Sequence, residues 1–222
     1  MNTYTVQRTP AAPPLTGQVA DTPWADAATL AIDTYPWYTA GGKQATTVRL
    51  LHDDEAIYVQ FQCEDRHIFC EVTELNGPVS KDSCVELFAT IDPDRRPHYL
   101  NFEANCCGTF LMGFNGSRAE QRRISPELAR RVAVVTSIQQ PTRDESPDDD
   151  GWWLTAKLPL EVLSQLAGQP VQPTAGTRWR ANFYRCGGRT ERQYACWNPI
   201  DTAKHPRPDF HRPEFFGQLL FE

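Results

Sequence analysis

Apolar residues recur at every second position through a succession of short segments. In Ala56–Cys63 (AIYVQFQC), Ile57, Val59, Phe61 and Cys63 share one face, while Tyr58, Gln60 and Gln62 share the other. Such alternation marks a strand, whose side chains point to opposite faces in turn. Thr46–His52 (TTVRLLH) precedes it across Asp53-Asp54-Glu55, so the two read as a hairpin with one wet side. Cys84–Ile91 (CVELFATI) puts Val85, Leu87, Ala89 and Ile91 on one face and Cys84, Glu86, Phe88 and Thr90 on the other. His98–Asn105 and Thr109–Asn115 flank Cys106-Cys107-Gly108 as a second hairpin. Val132–Ile138, Trp152–Leu158, Arg178–Arg185, Gln193–Trp197 and Phe216–Phe221 bring the total to about ten strands. Pro159–Ala167 (PLEVLSQLA) reads as a helix, with proline at its start where a missing N–H does no harm. Ser125–Arg131 reads as a short helical turn capped by Ser125. The pattern predicts an all-β chain: a single-domain antiparallel β-sandwich over residues 1–222 with one short helix.

Two segments break the pattern. Gln139–Gly151 (QQPTRDESPDDDG) is acidic and aperiodic, as expected of a surface loop. Thr202–Pro213 (TAKHPRPDFHRP) is too proline-rich for strand or helix and is expected to lie over the surface in extended form.

Composition narrows the function. A net charge of −6 argues against nucleic acid, whose binding needs clustered Lys and Arg. No apolar run is long enough to span a membrane. The seven cysteines are scattered with no C-x-x-C, which excludes zinc ribbons and thioredoxin-like sites. An odd cysteine count and an N-terminus without a signal-peptide pattern point to the cytoplasm. An extracellular or periplasmic location follows instead if a leader has been removed.

The order of the segments carries a resemblance. Trp24 is followed by the TTVRLLHDDEAIYVQFQCED hairpin, NGPVSKDSCVELF, HYLNFEANCCGTF, WWLTAKLPLEVL, RWRANFYR, YACWNP and FHRPEFFGQLLF. From about Asp21 to Glu222 the chain resembles the carbohydrate-binding module family 9-like group, whose β-sandwich is related to the wider DOMON group of sugar- and haem-binding domains. The resemblance implies non-catalytic binding of a mono- or oligosaccharide, with reducing-end recognition in the best-known members and calcium in some. It also implies two facing tryptophans. Trp197 matches one; the stretch DRHIFCEVTELNGP, where the other belongs, has none, which leaves Phe69, His67 or Trp37 as substitutes.

The residues make their own case. A pyranose offers a flat C–H face and a rim of hydroxyls, matched by an aromatic plate and planar hydrogen-bonding side chains. Trp197 at a strand end is the candidate plate, with a core tryptophan as the alternative. Arg185, Glu86, Glu103, Asn101, Lys81 and Asp82 are the candidate polar partners, although Glu and Arg on neighbouring strands also form cross-strand ion pairs. Two carboxylates such as Glu86 and Glu103 are equally what glycoside cleavage requires, so a carbohydrate-active enzyme is one alternative and a structural, partner-binding sandwich another. Asp144, Glu145, Asp148, Asp149 and Asp150 crowd one loop, and the last three are the calcium candidates, with a solvated charge run as the alternative. His205 and His211 lack metal-ligand spacing, and His211 is expected to pack where its loop folds down. Haem needs axial ligands such as Met and His, but Met112 shares a face with Phe110 and Phe114 as a core residue would. No cofactor is therefore required by the sequence.

Overall fold

A computed structural model describes residues 1–93, 98–117 and 120–222. Among these residues thirteen strands run in the order β1 (Thr3–Arg8), β2 (Leu30–Ala31), β3 (Thr46–His52), β4 (Ala56–Glu64), β5 (Cys84–Thr90), β6 (Tyr99–Asn105), β7 (Phe110–Ser117), β8 (Glu120–Arg123), β9 (Ala133–Thr136), β10 (Gly151–Pro159), β11 (Arg178–Gly187), β12 (Gln193–Cys196) and β13 (Gly217–Phe221). Helix α1 (Pro126–Ala129) precedes β9 and α2 (Leu160–Ala167) follows β10.

One sheet has the order β8-β7-β6-β5-β11-β13-β1, with β12 also on β11; the other has β1-β3-β4-β10-β9, with β2 on β3. The two meet in β1, whose first half pairs with β13 and whose end pairs with β3. Both β1 pairings are parallel, which departs from the purely antiparallel sandwich of the sequence reading. Strands read from alternation reappear within a residue or two, and both helices form. Helix α2 turns Leu160, Val162, Leu163 and Leu166 inward and stops at Gly168, whose φ of +70° suits a left-handed cap.

The alternating apolar faces meet between the sheets. Val48, Leu50, Ile57, Val59, Phe61, Leu154 and Ala156 pack against Val85, Leu87, Leu100, Phe102, Ala181 and Phe183 in one core. Burying each large aliphatic or aromatic side chain contributes about 1.5–3 kcal/mol. Met112 lies inside this core, as its face predicts.

The outer faces are covered over much of their area, contrary to the wet side of the sequence reading. On β4 and β10 the N-terminal segment lies across the sheet: Gln60 Nε2 and Thr155 Oγ1 donate to the Thr16 carbonyl at 2.7 and 2.8 Å, and Trp24 packs with Leu51, Ala56 and Tyr58. On β5, β6 and β11 the proline-rich C-terminal segment does the same. Phe210 stacks on Tyr184 at 4.2 Å between ring centroids, and Phe216 and Ile200 join Phe88, Tyr99 and Cys84 in a second apolar cluster. Tyr99 Oη and His211 Nδ1 lie 2.7 Å apart, so His211 packs where the strap folds down. Prolines suit both straps, since an extended chain crossing a sheet face needs no ladder hydrogen bonds.

Candidate functional site

Five of the six polar partners singled out in the sequence are buried. Arg185 shares the inward face of β11 with Trp179, Ala181 and Phe183, and its side chain is 1% exposed. Its guanidinium pairs with Asp65, donates to the Cys186 carbonyl at 2.8 Å and lies over the Trp152 ring at 5.3 Å. Asp65 also accepts from Trp152 Nε1 at 3.0 Å. This is a buried strut between the sheets and offers nothing to a ligand. Trp197 is likewise a core side chain, 7% exposed, edge-on to Phe183 at 5.7 Å and packed against Gly217. Neither face of its indole is available as a plate. Phe183 and the absent side chain at Gly217 make the slot that holds it.

Glu86 and Glu103 are direct cross-strand partners on β5 and β6, both buried under the C-terminal strap. Cys186 Sγ lies 2.9 Å from Glu86 Oε1, Asn101 Nδ2 donates to Glu103 Oε1 at 2.8 Å, and Asn115 Nδ2 donates to Asn101 Oδ1 at 2.9 Å. These contacts lie within the cluster, which leaves the buried Asn115 Oδ1 without a partner, and burial keeps Glu86, Glu103 and Asn101 from facing an incoming sugar or a scissile bond. Burial pushes Glu86 well above its ordinary 4.5, with the neighbouring Cys186 and Glu103 adding to it, and burial raises Glu103 as well. At this pair folded chains therefore keep protons that unfolded chains release, and the pair's contribution to stability falls as pH rises above about 4.5, by up to about 1.4 kcal/mol per pH unit and proton. Glu86→Gln is expected to flatten that slope and to stabilise the chain at pH 7–8, read by denaturation across pH 5–8. An unchanged slope would show that Glu86 titrates alike in both states.

Asp82 is fully buried and holds a loop, accepting from the Val72 amide at 3.0 Å and Asn105 Nδ2 at 2.8 Å. The acidic loop is committed in the same way. Glu145 accepts from the Arg189 and Thr190 amides at 3.1 and 3.0 Å, and Asp149 accepts from the Ile68 amide at 2.9 Å. Among the described residues, Asp148, Asp149 and Asp150 do not gather with a third ligand atom close enough to share an ion. Asp149 braces the loop, accepting also from the Ser146 amide at 3.3 Å.

Lys81 is the exception. It is exposed, and with Phe69, Glu71, Ser80, Arg189, Arg192 and Tyr194 it lines a hollow of about 350 Å³ at the tip of the β11–β12 hairpin. A neighbouring hollow of about 370 Å³, walled by Trp37, Tyr35, Tyr38 and Pro208, shares Arg192 and Tyr194 with it. The two adjoin at Arg192 and Tyr194 as the two halves of an edge cleft, each of the size that small ligands use. The hairpin tip is shaped by Gly187, whose φ is +83° and where a β-carbon would sit 1.6 Å from the Asp82 carbonyl oxygen. Glu145 pins the tip through its amides, and the Arg189 guanidinium lies over the Phe69 ring at 4.3 Å. Trp37 is anchored by Nε1 donating to the His205 carbonyl at 2.8 Å. Of the substitutes for the absent second tryptophan, Phe69 and Trp37 line the cleft and His67 does not.

Two further hollows lie elsewhere on the described surface. One of about 740 Å³ beside α2 has no aromatic wall, and its Arg131 and Lys157 are paired with Glu161 and Glu55. Another of about 490 Å³ over β4 and β10 includes Trp153, whose ring is covered on one side by Gly17.

The fold is thus a two-sheet β-sandwich with an aromatic-walled, cation-rimmed cleft at its edge. The sequence matches the family model of carbohydrate-binding family 9 over residues 22–221, and the chain belongs to that family. A candidate carbohydrate-binding protein from Bacteroides uniformis ATCC 8492 is 25% identical over 99% of this chain and 99% of its own, with a TM-score of 0.85. A family 9 carbohydrate-binding module from Caldicellulosiruptor kristjanssonii, solved with cellotriose and with glucose, is 17% identical over 100% of this chain and 94% and 96% of its own, with TM-scores of 0.64 and 0.62. At that identity the likeness is one of fold. No curated protein matches the sequence.

Proposed function

We propose that the chain binds a mono- or oligosaccharide without cleaving it, in the cleft at the β11–β12 hairpin tip. The observation that carries this reading is Tyr194, half-buried and shared by both hollows, with Arg192, Lys81 and Glu71 around it and Trp37 opposite on the second wall. Tyr194 serves as the plate for the C–H face of a pyranose. Arg192 and Lys81 donate to ring hydroxyls, the planar guanidinium to two at once, and Glu71 accepts. Family membership supports the ligand class, and the solved relatives with cellotriose and glucose suggest where a panel of sugars should begin.

Titration calorimetry with glucose, cello-oligosaccharides and a wider sugar panel tests the reading. Tyr194→Ala is expected to weaken the best ligand by at least about tenfold, as the loss of one stacked ring would. Trp153→Ala is expected to leave affinity unchanged. Loss in Trp153→Ala with full affinity in Tyr194→Ala would move the site to the hollow over β4 and β10. A panel without a binder would overturn the carbohydrate reading itself.

A further inference from the structure

Three cysteines converge at the end of β6 that lies beside the cleft, with Cys70 between Phe69 and Glu71 of the cleft lining and none of the three lining it. Cys70 follows β4, while Cys106 and Cys107 form the β6–β7 turn, and all three are free thiols. Their sulfurs all lie within 4.8 Å of one another. The backbone sets this arrangement without help from any ion. The Cys70 amide donates to the Thr142 carbonyl at 2.7 Å, and the Cys106 amide to the Ser83 carbonyl at 2.8 Å. The turn itself is closed by the Gly108 amide on the Asn105 carbonyl at 2.9 Å, with Gly108 at φ +83°.

We propose that Cys70, Cys106 and Cys107 form a three-sulfur site for a soft cation, with Cu(I) as the ion that fits best. Three sulfurs at about 2.3 Å from a central ion stand about 4 Å apart, so the cluster closes on an ion with small side-chain rotations. Thiolate donors select Cu(I), zinc or iron–sulfur centres over harder ions. Among the described residues no further His, Cys, Asp or Glu atom joins the three. That suits Cu(I), which is satisfied by three donors, better than Zn²⁺, which wants four. Cys107 is partly exposed and gives the ion a way in, whereas Cys70 and Cys106 are buried. Each thiol that binds releases its proton to solvent, and no electron is transferred. A second trio, Cys84, Glu86 and Cys186, is buried throughout, mixes oxygen with sulfur, and serves as an internal control.

The test is competition for Cu(I) held by a chromophoric chelator, with fully reduced protein under anaerobic conditions. The unmodified chain is expected to withdraw one Cu(I) from the chelator. Cys70→Ser, Cys106→Ser and Cys107→Ser should each weaken this by at least about 100-fold, since losing even a supporting group at a metal site costs 10- to 100-fold. Cys84→Ser should behave as the unmodified chain. Circular dichroism verifies each fold, with Cys→Ala in place of any serine variant that does not fold. A chelator that keeps all its copper, binding that survives in all three variants, or equal loss in Cys84→Ser would overturn the proposal. Retention of Zn²⁺ but not Cu(I) would overturn the three-coordinate assignment.

Discussion

Asp65→Ala is expected to lower stability by about 3–5 kcal/mol, because it leaves the Arg185 guanidinium charged and without its carboxylate inside the sandwich. Against the 5–15 kcal/mol that holds a typical domain folded, that is a third or more of the total. Trp152 Nε1 loses its acceptor in the same step, which adds the cost of a buried unsatisfied donor. Removing both charges should be much milder. Asp65→Leu combined with Arg185→Met replaces the pair with apolar side chains of similar reach, and the double variant is expected to recover most of the loss. A double-mutant cycle from denaturant unfolding measures the coupling directly. Arg185→Met should leave sugar affinity unchanged in the folded protein. Lost affinity with unchanged stability would return Arg185 to the role of a ligand residue.

The same contrast shows how far the sequence could be read. Alternation located β3, β4, β5, β6, β10 and β11 because one face of each strand is largely apolar, and Pro159 and Gly168 frame α2 by local chemistry alone. Alternation separates two faces but does not say which is wet. Glu86, Asn101 and Glu103 look like a solvent face, yet Phe210 and Phe216 arrive from more than a hundred residues away to cover it. Strand β1 escaped for a similar reason. Its six residues, TYTVQR, have only Tyr4 and Val6 as apolar inward positions, and its parallel partners β13 and β3 are distant in sequence. The cleft had a local signal that went unused. GGRTERQY places two arginines and a tyrosine on a glycine-hinged hairpin tip, where exposed loops commonly carry function. What joins Lys81, Phe69 and Trp37 to that tip is tertiary, since they come from three separate loops.

Trp197→Ala separates the core reading of this tryptophan from the ligand-plate reading most sharply. The indole fills a slot bounded by Phe183 and Gly217, with its backbone tied at both ends. Its amide donates to the Phe183 carbonyl at 3.0 Å, and its carbonyl accepts from Asn2 Nδ2 at 2.8 Å. Truncation leaves a cavity between a sheet and the strand that closes it, and the expected loss is about 3–5 kcal/mol. Trp197→Phe should cost clearly less, because a ring still occupies part of the slot. Gly217→Ala approaches the same packing from the other side. Its added β-carbon would lie 2.6 Å from the indole and 2.8 Å from the Asn2 carbonyl oxygen, so it too should destabilise. Sugar titrations on whatever fraction of Trp197→Ala stays folded should give affinity within about twofold of the unmodified chain, a difference under half a kcal/mol. The opposite pattern, native stability with abolished affinity, would require the indole to leave its slot and face the ligand. The Phe183 and Gly217 contacts would then have to open as sugar binds.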